Sequence, residues 1–287
     1  MARQWEKRVR GRIEYRPGRA PLGRLSNTWT DVDGCRMYAR VAVADRADAP
    51  AVVLAHGYGV SSRYMVPAVR HLAPYYRVYA PDLPGYGRSC RPRRVLNVPA
   101  LADALAGWMD MWRLERAVLL ANSFGCQIVT DLAVRRPDLA RALILVGPTV
   151  DPAARTPWQQ AWRLAEDMPR EPAALWPPLV RDYLRFGPRR ALVTLRDMLR
   201  DRIEERLPRV QAPVLVVRGA RDAIVSAAWA AEVARRLPNA RLVTIPGAAH
   251  AVNFNAPLEL TRVLRGFLSA CERCHGWPTA RVAEARP

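Results

Sequence analysis

A chain of 287 residues, half of them hydrophobic, can bury a substantial core as one large domain or as a core with an insertion. Its formal charge of +19 is almost wholly arginine, since Lys7 is the only lysine, and the arginines are scattered with acids often nearby; this reads as compositional bias, so nucleic acid is not expected as a partner despite the charge. With no apolar run as long as a membrane span and no signal-peptide pattern, neither a membrane partner nor export is expected, and the chain is expected to be cytoplasmic.

The densest charge lies in residues 1–25, where eight basic side chains between Arg3 and Arg24 face only Glu6 and Glu14. Pro17, Gly18, Pro21 and Gly23 break that stretch, which is expected to be a mobile basic tail. Trp29 to Val32 and Cys35 to Val43 then read as strands joined at Asp33-Gly34, a hairpin turn signal. Ala51 to Ala55 is a short apolar strand running into His56-Gly57-Tyr58-Gly59. Val66 to Leu72 reads as a helix, and Arg77 to Ala80 as a strand leading into the loop from Pro81 to Ser89. Asn97 is an N-cap for a helix reaching Arg113, with Leu101, Leu105 and Trp108 on one face.

Ala117 to Leu120 is a strand suited to burial on both faces, and Gln127 to Arg136 is helical before Pro137. Ser123 lies between them, with Ala121 two residues before it and Gly125 two after. A tight strand-to-helix turn crowds those two positions, so the stretch fits a G-x-S-x-G nucleophile elbow with Ala replacing the first Gly. Ala142 to Val146 is the next strand. From 151 to 209 no strand-like run occurs, only helical segments between prolines, and Trp158, Trp162 and Trp176 gather there. A helical cap over a sheet is expected. Trp158 and Trp162, at i and i+4, are candidates for substrate contact, although such spacing more often marks packing.

Alternation resumes in 210–270: Val214 to Val217, a helix from Ser226 to Leu237, Arg241 to Ile245 and a terminal helix from Leu258 to Leu268. Apolar strands alternating with helices imply an α/β fold, a mostly parallel sheet with helices on both faces. A polar tail, 271–287, is expected to follow. Five cysteines without an export signal argue against a disulfide framework. Cys271 to His275 spells the C-x-x-C-H string of haem attachment, but it sits in a polar tail without a pocket, so neither haem, metal nor another cofactor is expected.

Ser123, Asp222 and His250 stand just past three strand ends, in the order Ser, acid, His that the elbow predicts. A Ser hydroxyl needs a base to take its proton, which His250 can do, and Asp222 can hold the imidazole in the required tautomer. His56, His71 and His275 are poorer bases, lying in a glycine loop, a helical pattern and the tail.

These residues, with the His56-Gly57 loop, the Asp82 to Ser89 loop, the Gly219 to Asp222 loop and the Gly247 to His250 loop, resemble the α/β-hydrolase fold family of the capped kind, from about Trp29 to Leu268. The resemblance implies an oxyanion hole made by the backbone N–H groups of Phe124 and Tyr58. A Ser at the elbow separates the chain from the branches that use Asp there. Asn122-Ser123 is similar to hydrolases that cleave carbon–carbon bonds of ring-fission products, in which a cap arginine holds a substrate carboxylate; Arg190 or Arg189 is the candidate here. The aromatic-rich stretch usual after the catalytic His of that subgroup is replaced by Ala251-Val252-Asn253-Phe254-Asn255. Ester hydrolysis on a small, fairly apolar substrate is therefore the first expectation and carbon–carbon cleavage of a vinylogous diketone the second. A non-catalytic binder of ligand or nucleic acid on the same fold is the third, and a homodimer is left open.

Overall fold

The computed structural model of the chain describes residues 13–16, 25–42 and 49–275. The strands are β1 (Ile13–Arg16), β2 (Leu25–Val32), β3 (Cys35–Ala42), β4 (Ala51–Ala55), β5 (Arg77–Pro81), β6 (Ala117–Asn122), β7 (Ala140–Val146), β8 (Val214–Gly219) and β9 (Ala240–Ile245). Among the described residues they form one sheet in the order β1-β2-β3-β5-β4-β6-β7-β8-β9. From β5 to β9 neighbours run parallel; β1, β2 and β3 add an antiparallel edge. Every residue of β4 and β6 is buried, as strands covered on both faces must be. β2 alternates half-buried and buried residues, the pattern of a sheet with one covered face. Asp33 and Gly34 both have positive φ, 47° and 78°, matching the twist of a two-residue hairpin turn.

The helices are α1 (Val66–Leu72), α2 (Val98–Met111), α3 (Phe124–Arg135), α4 (Pro157–Asp167), α5 (Trp176–Phe186), α6 (Pro188–Arg200), α7 (Ile203–Arg206), α8 (Ala227–Arg236), α9 (Val252–Asn255) and α10 (Pro257–His275). Leu105 and Trp108 of α2, Ile128 and Leu132 of α3 and Val233 of α8 close one face of the sheet. Val69 and Leu72 of α1 with Leu260 and Leu264 of α10 close the other. Burying such side chains contributes about 1.5–3 kcal/mol each, and this two-sided core fixes the strand ends that carry the site.

Between β7 and β8 the described chain is helical, with α4, α5 and α6 at its centre. The prolines here start helices more than they break them: each of these three has Pro at its first or second position, where the missing N–H has no intrahelical acceptor to lose. Thr156 and Gln159 add a capping box to α4.

Several expectations need correction. Part of the stretch read as a mobile tail is strand β1, and β2 already begins at Leu25; 1–12 and 17–24 lie outside the described residues, as do Val43 and 276–287. The Cys271 to His275 string is not in a tail: α10 runs through it, and Cys271 is buried against the core. Cys35 and Cys90 form a disulfide with their Cα atoms 5.5 Å apart. An odd cysteine count argues against a framework but says nothing about one pair. Cys90 N–H donating to the Arg36 carbonyl at 2.9 Å brings the Pro81 to Ser89 loop back to the hairpin. Among the described residues no helix is long and apolar enough to cross a membrane.

Candidate active site

Ser123 separates the last residue of β6 from the first of α3 and has φ 55° and ψ −125°, a conformation that costs a non-glycine residue about 1–3 kcal/mol. Its N–H donates to the Val146 carbonyl at 2.9 Å, which ties the turn to β7. The helix begins three residues earlier than its apolar spacing suggests, so the turn holds only Ser123. A Cβ on Gly125 would come 2.6 Å from the Ala55 carbonyl oxygen and 2.7 Å from that of His56, so only glycine lets α3 leave the elbow beside β4. Phe124 N–H is the first of α3 and has no carbonyl four residues back within the helix. It is a donor available at the positive end of a helix dipole.

Asp222 follows β8. Its Oδ1 accepts the N–H groups of Ile224 at 2.9 Å and Val225 at 2.8 Å, which aims Oδ2 at His250 Nδ1, 3.0 Å away. Nδ1–H donating to the carboxylate leaves Nε2 as the free acceptor of the neutral ring. Nε2 is buried without a hydrogen-bond partner. His250 and Ser123 line the same cavity, about 350 Å³ in volume, which residues of α4, α5 and α6 also line. The pair fits because a Cβ on Gly147 would approach the imidazole to 2.9 Å; glycine there, at φ 53°, leaves the ring its place.

Two cap carboxyls that sequence reading did not single out complete the arrangement. Glu171 Oε1 accepts Ala251 N–H at 2.6 Å and its Oε2 accepts Asn255 Nδ2–H at 2.8 Å. Asp167 Oδ1 accepts Ala223 N–H at 3.1 Å. Each grips the residue after a triad candidate, and both line the cavity. Burial raises both carboxyls above the usual range. Burial alone would lower His250, but the charge and hydrogen bond of Asp222, with Asp167 and Glu171 behind it, outweigh that and raise it to about 9.

Asn122 also lines the cavity. Its Nδ2 donates to the His250 carbonyl at 3.2 Å and its Oδ1 accepts Tyr64 O–H at 3.0 Å, so it joins the elbow strand to the histidine loop. Tyr58 lines the cavity from the glycine loop, with its hydroxyl donating to the Ala191 carbonyl of α6 at 2.8 Å. The remaining candidates are elsewhere. Trp158 and Trp162 are 85% and 70% exposed, because α4 turns Gln160, Ala161 and Leu164 to the cavity instead. Arg190 spends its guanidinium on the Pro92 carbonyl, and Arg189 is exposed. His56 is buried between two loops, its Nε2 accepting Leu83 N–H at 3.1 Å. No group of three or more metal-ligating side chains occurs among the described residues.

The model of the alpha/beta hydrolase family matches residues 52–263, and the chain belongs to that family. Among curated proteins it is 26% identical, over 79% of its length and 91% of the other, to 2-(acetamidomethylene)succinate hydrolase of Mesorhizobium japonicum (strain LMG 29417 / CECT 9101 / MAFF 303099). It is 34% identical to epoxide hydrolase A of Mycobacterium tuberculosis (strain ATCC 25618 / H37Rv) over a shorter stretch, 50% of this chain and 44% of that one. The enol-lactonase of Burkholderia xenovorans LB400 shares the fold, with a TM-score of 0.71 at 23% identity over 84% of this chain and 99% of that one.

Proposed function

We propose that the protein is a serine hydrolase that forms an acyl-enzyme on Ser123 from a small, fairly apolar ester. The observation that carries this reading is the Asp222–His250 hydrogen bond of 3.0 Å in a cavity that Ser123 also lines from a strained turn. In acylation, His250 Nε2 takes the Ser123 Oγ proton as Oγ attacks the carbonyl carbon. The oxyanion is met by the N–H of Phe124 and, by family resemblance, of Tyr58. Collapse breaks the bond to the leaving alkoxide, which receives the proton from His250. Water then gives a proton to His250 and its oxygen to the acyl carbon; His250 returns the proton to Ser123, and the acid leaves.

The cavity supports the choice of substrate. Leu164, Leu175, Leu179, Leu195 and Met198 supply apolar wall, and Thr149 presents a buried hydroxyl without a protein partner. In a chain of charge +19, no Lys or Arg is among the described residues that line it, whereas Asp167 and Glu171 are. A substrate carboxylate would meet like charge from these two acids and no Lys or Arg to pair with. This weighs against carbon–carbon cleavage of a carboxylate-bearing diketone, for which Arg190 was the expected partner. A panel of short nitrophenyl esters, matched esters carrying a carboxylate, and vinylogous 1,5-diketones tests the reading. Turnover of the neutral esters above the other two classes is expected; preference for the diketones would reject it.

A further inference from the structure

The two tryptophans that do not reach the cavity leave a question about what they face. The inner sides of α4, α5 and α6 all line the same cavity, through Ala161 and Leu164, Leu179 and Tyr183, and Leu195 and Met198. The residues these helices expose therefore lie on the outside of the cap. They are apolar and large: Trp158 and Trp162, one turn apart on α4; Val180 and Leu184, one turn apart on α5, with Leu184 78% exposed; and Leu192 on α6, 69% exposed. Isolated apolar side chains at a surface are ordinary, but large ones on three successive helices of one element are not. Leu164 and Met168 both line the cavity and reach solvent, so the apolar surface continues inward to the site.

The charge around this surface is mostly of one sign. Between Trp176 and Arg200 the chain carries six arginines, five of them exposed, and two acids. Both acids turn inward: Asp182 accepts Ser61 O–H at 2.6 Å, and Asp197 accepts Val98 N–H at 3.0 Å. Arg181 and Arg185 flank a shallow groove formed by Pro177, Val180 and Leu184. Glu166 is the one exposed acid from 157 to 200. Tryptophan and leucine on a helix face bordered by arginine is the composition of a helix lying in the headgroup region of a lipid surface. A cationic protein partner would be repelled by this face, and an apolar one would have no use for its arginines.

We propose that the outer face of the cap, centred on Trp158, Trp162 and Leu184 and bordered by Arg181, Arg185 and Arg189, docks on an anionic lipid bilayer surface. The expectation of no membrane partner rested on spanning segments, and a face lying in the interface needs none. The inference does not depend on the chemistry at Ser123, because binding is read without turnover. Co-sedimentation of the full chain with vesicles of phosphatidylcholine alone, and of equal parts phosphatidylcholine and phosphatidylglycerol, tests it. Binding to the mixed vesicles, weakened by high salt, is expected. Trp158→Ser with Leu184→Ser should abolish it, and Arg181→Gln, Arg185→Gln and Arg189→Gln together should weaken it roughly a hundredfold. All five side chains are exposed, so these variants keep the core intact. No binding to mixed vesicles would overturn the proposal. So would binding that survives both sets of variants, which would assign it to the basic N-terminal stretch, or a dimer in sedimentation velocity that the Trp158 variant dissolves.

Discussion

Glu171 accepts the backbone N–H of Ala251 at 2.6 Å, one residue past His250, and so the cap holds the loop that carries the candidate base. Asp167 does the same for Ala223, one residue past Asp222. Both carboxyls, from the helical stretch between β7 and β8, also raise the pKa of His250. A His250 raised to about 9 keeps its proton through neutral pH, so kcat/KM should climb with pH and level off near that value. Removing a nearby negative charge destabilises the imidazolium and lowers its pKa. Glu171→Gln and Asp167→Asn should therefore each move the acid limb of the kcat/KM profile to lower pH. Glu171→Ala, which also frees the loop, should lower kcat by about tenfold to a hundredfold. Unchanged profiles in all three variants would show that these carboxyls only fasten the cap.

The elbow strain gives a prediction of stability against activity. Ser123 at φ 55° is strained, and glycine is not. Ser123→Gly should raise the unfolding free energy by about 1 kcal/mol, after its greater unfolded-state entropy is counted, while removing turnover. Thermal unfolding beside an ester assay measures both; a destabilised variant would contradict the strain.

Gly147→Ala should act in the opposite sense on stability while also removing most turnover. A methyl group 2.9 Å from the His250 ring must displace it from Asp222, at a backbone φ of 53° that also disfavours alanine. A loss of about 1–3 kcal/mol and of most activity is expected, read by denaturant unfolding and kcat/KM. Normal activity would mean that the ring has more room than the structure gives it.

Thiol titration of the unfolded chain should find two fewer thiols before reduction than after it, because Cys35 and Cys90 are paired. Equal counts would contradict the pairing of Cys35 with Cys90.

Much of this fold was legible in the chain. β4, β6, β7 and β8 are short Val, Leu, Ile and Ala runs, and a strand buried on both faces requires little else. The elbow was legible for a steric reason, since the positions around a tight turn must be small. The end of its strand was misjudged because Asn122 is polar yet buried, and apolar spacing does not see buried polar residues. Trp158 and Trp162 were misplaced because an i, i+4 pair shows that two rings share a face without showing which way that face points. Glu171 and Asp167 left no local trace: their partners lie 80 and 56 residues away in the chain.

The most direct measurement is mass-spectrometric mapping of a fluorophosphonate adduct on the folded protein. A single modified residue, Ser123, is expected, with labelling lost in Ser123→Ala and slowed by orders of magnitude in His250→Ala. Folded protein that stays unlabelled at Ser123, or that labels equally fast without His250, would contradict it.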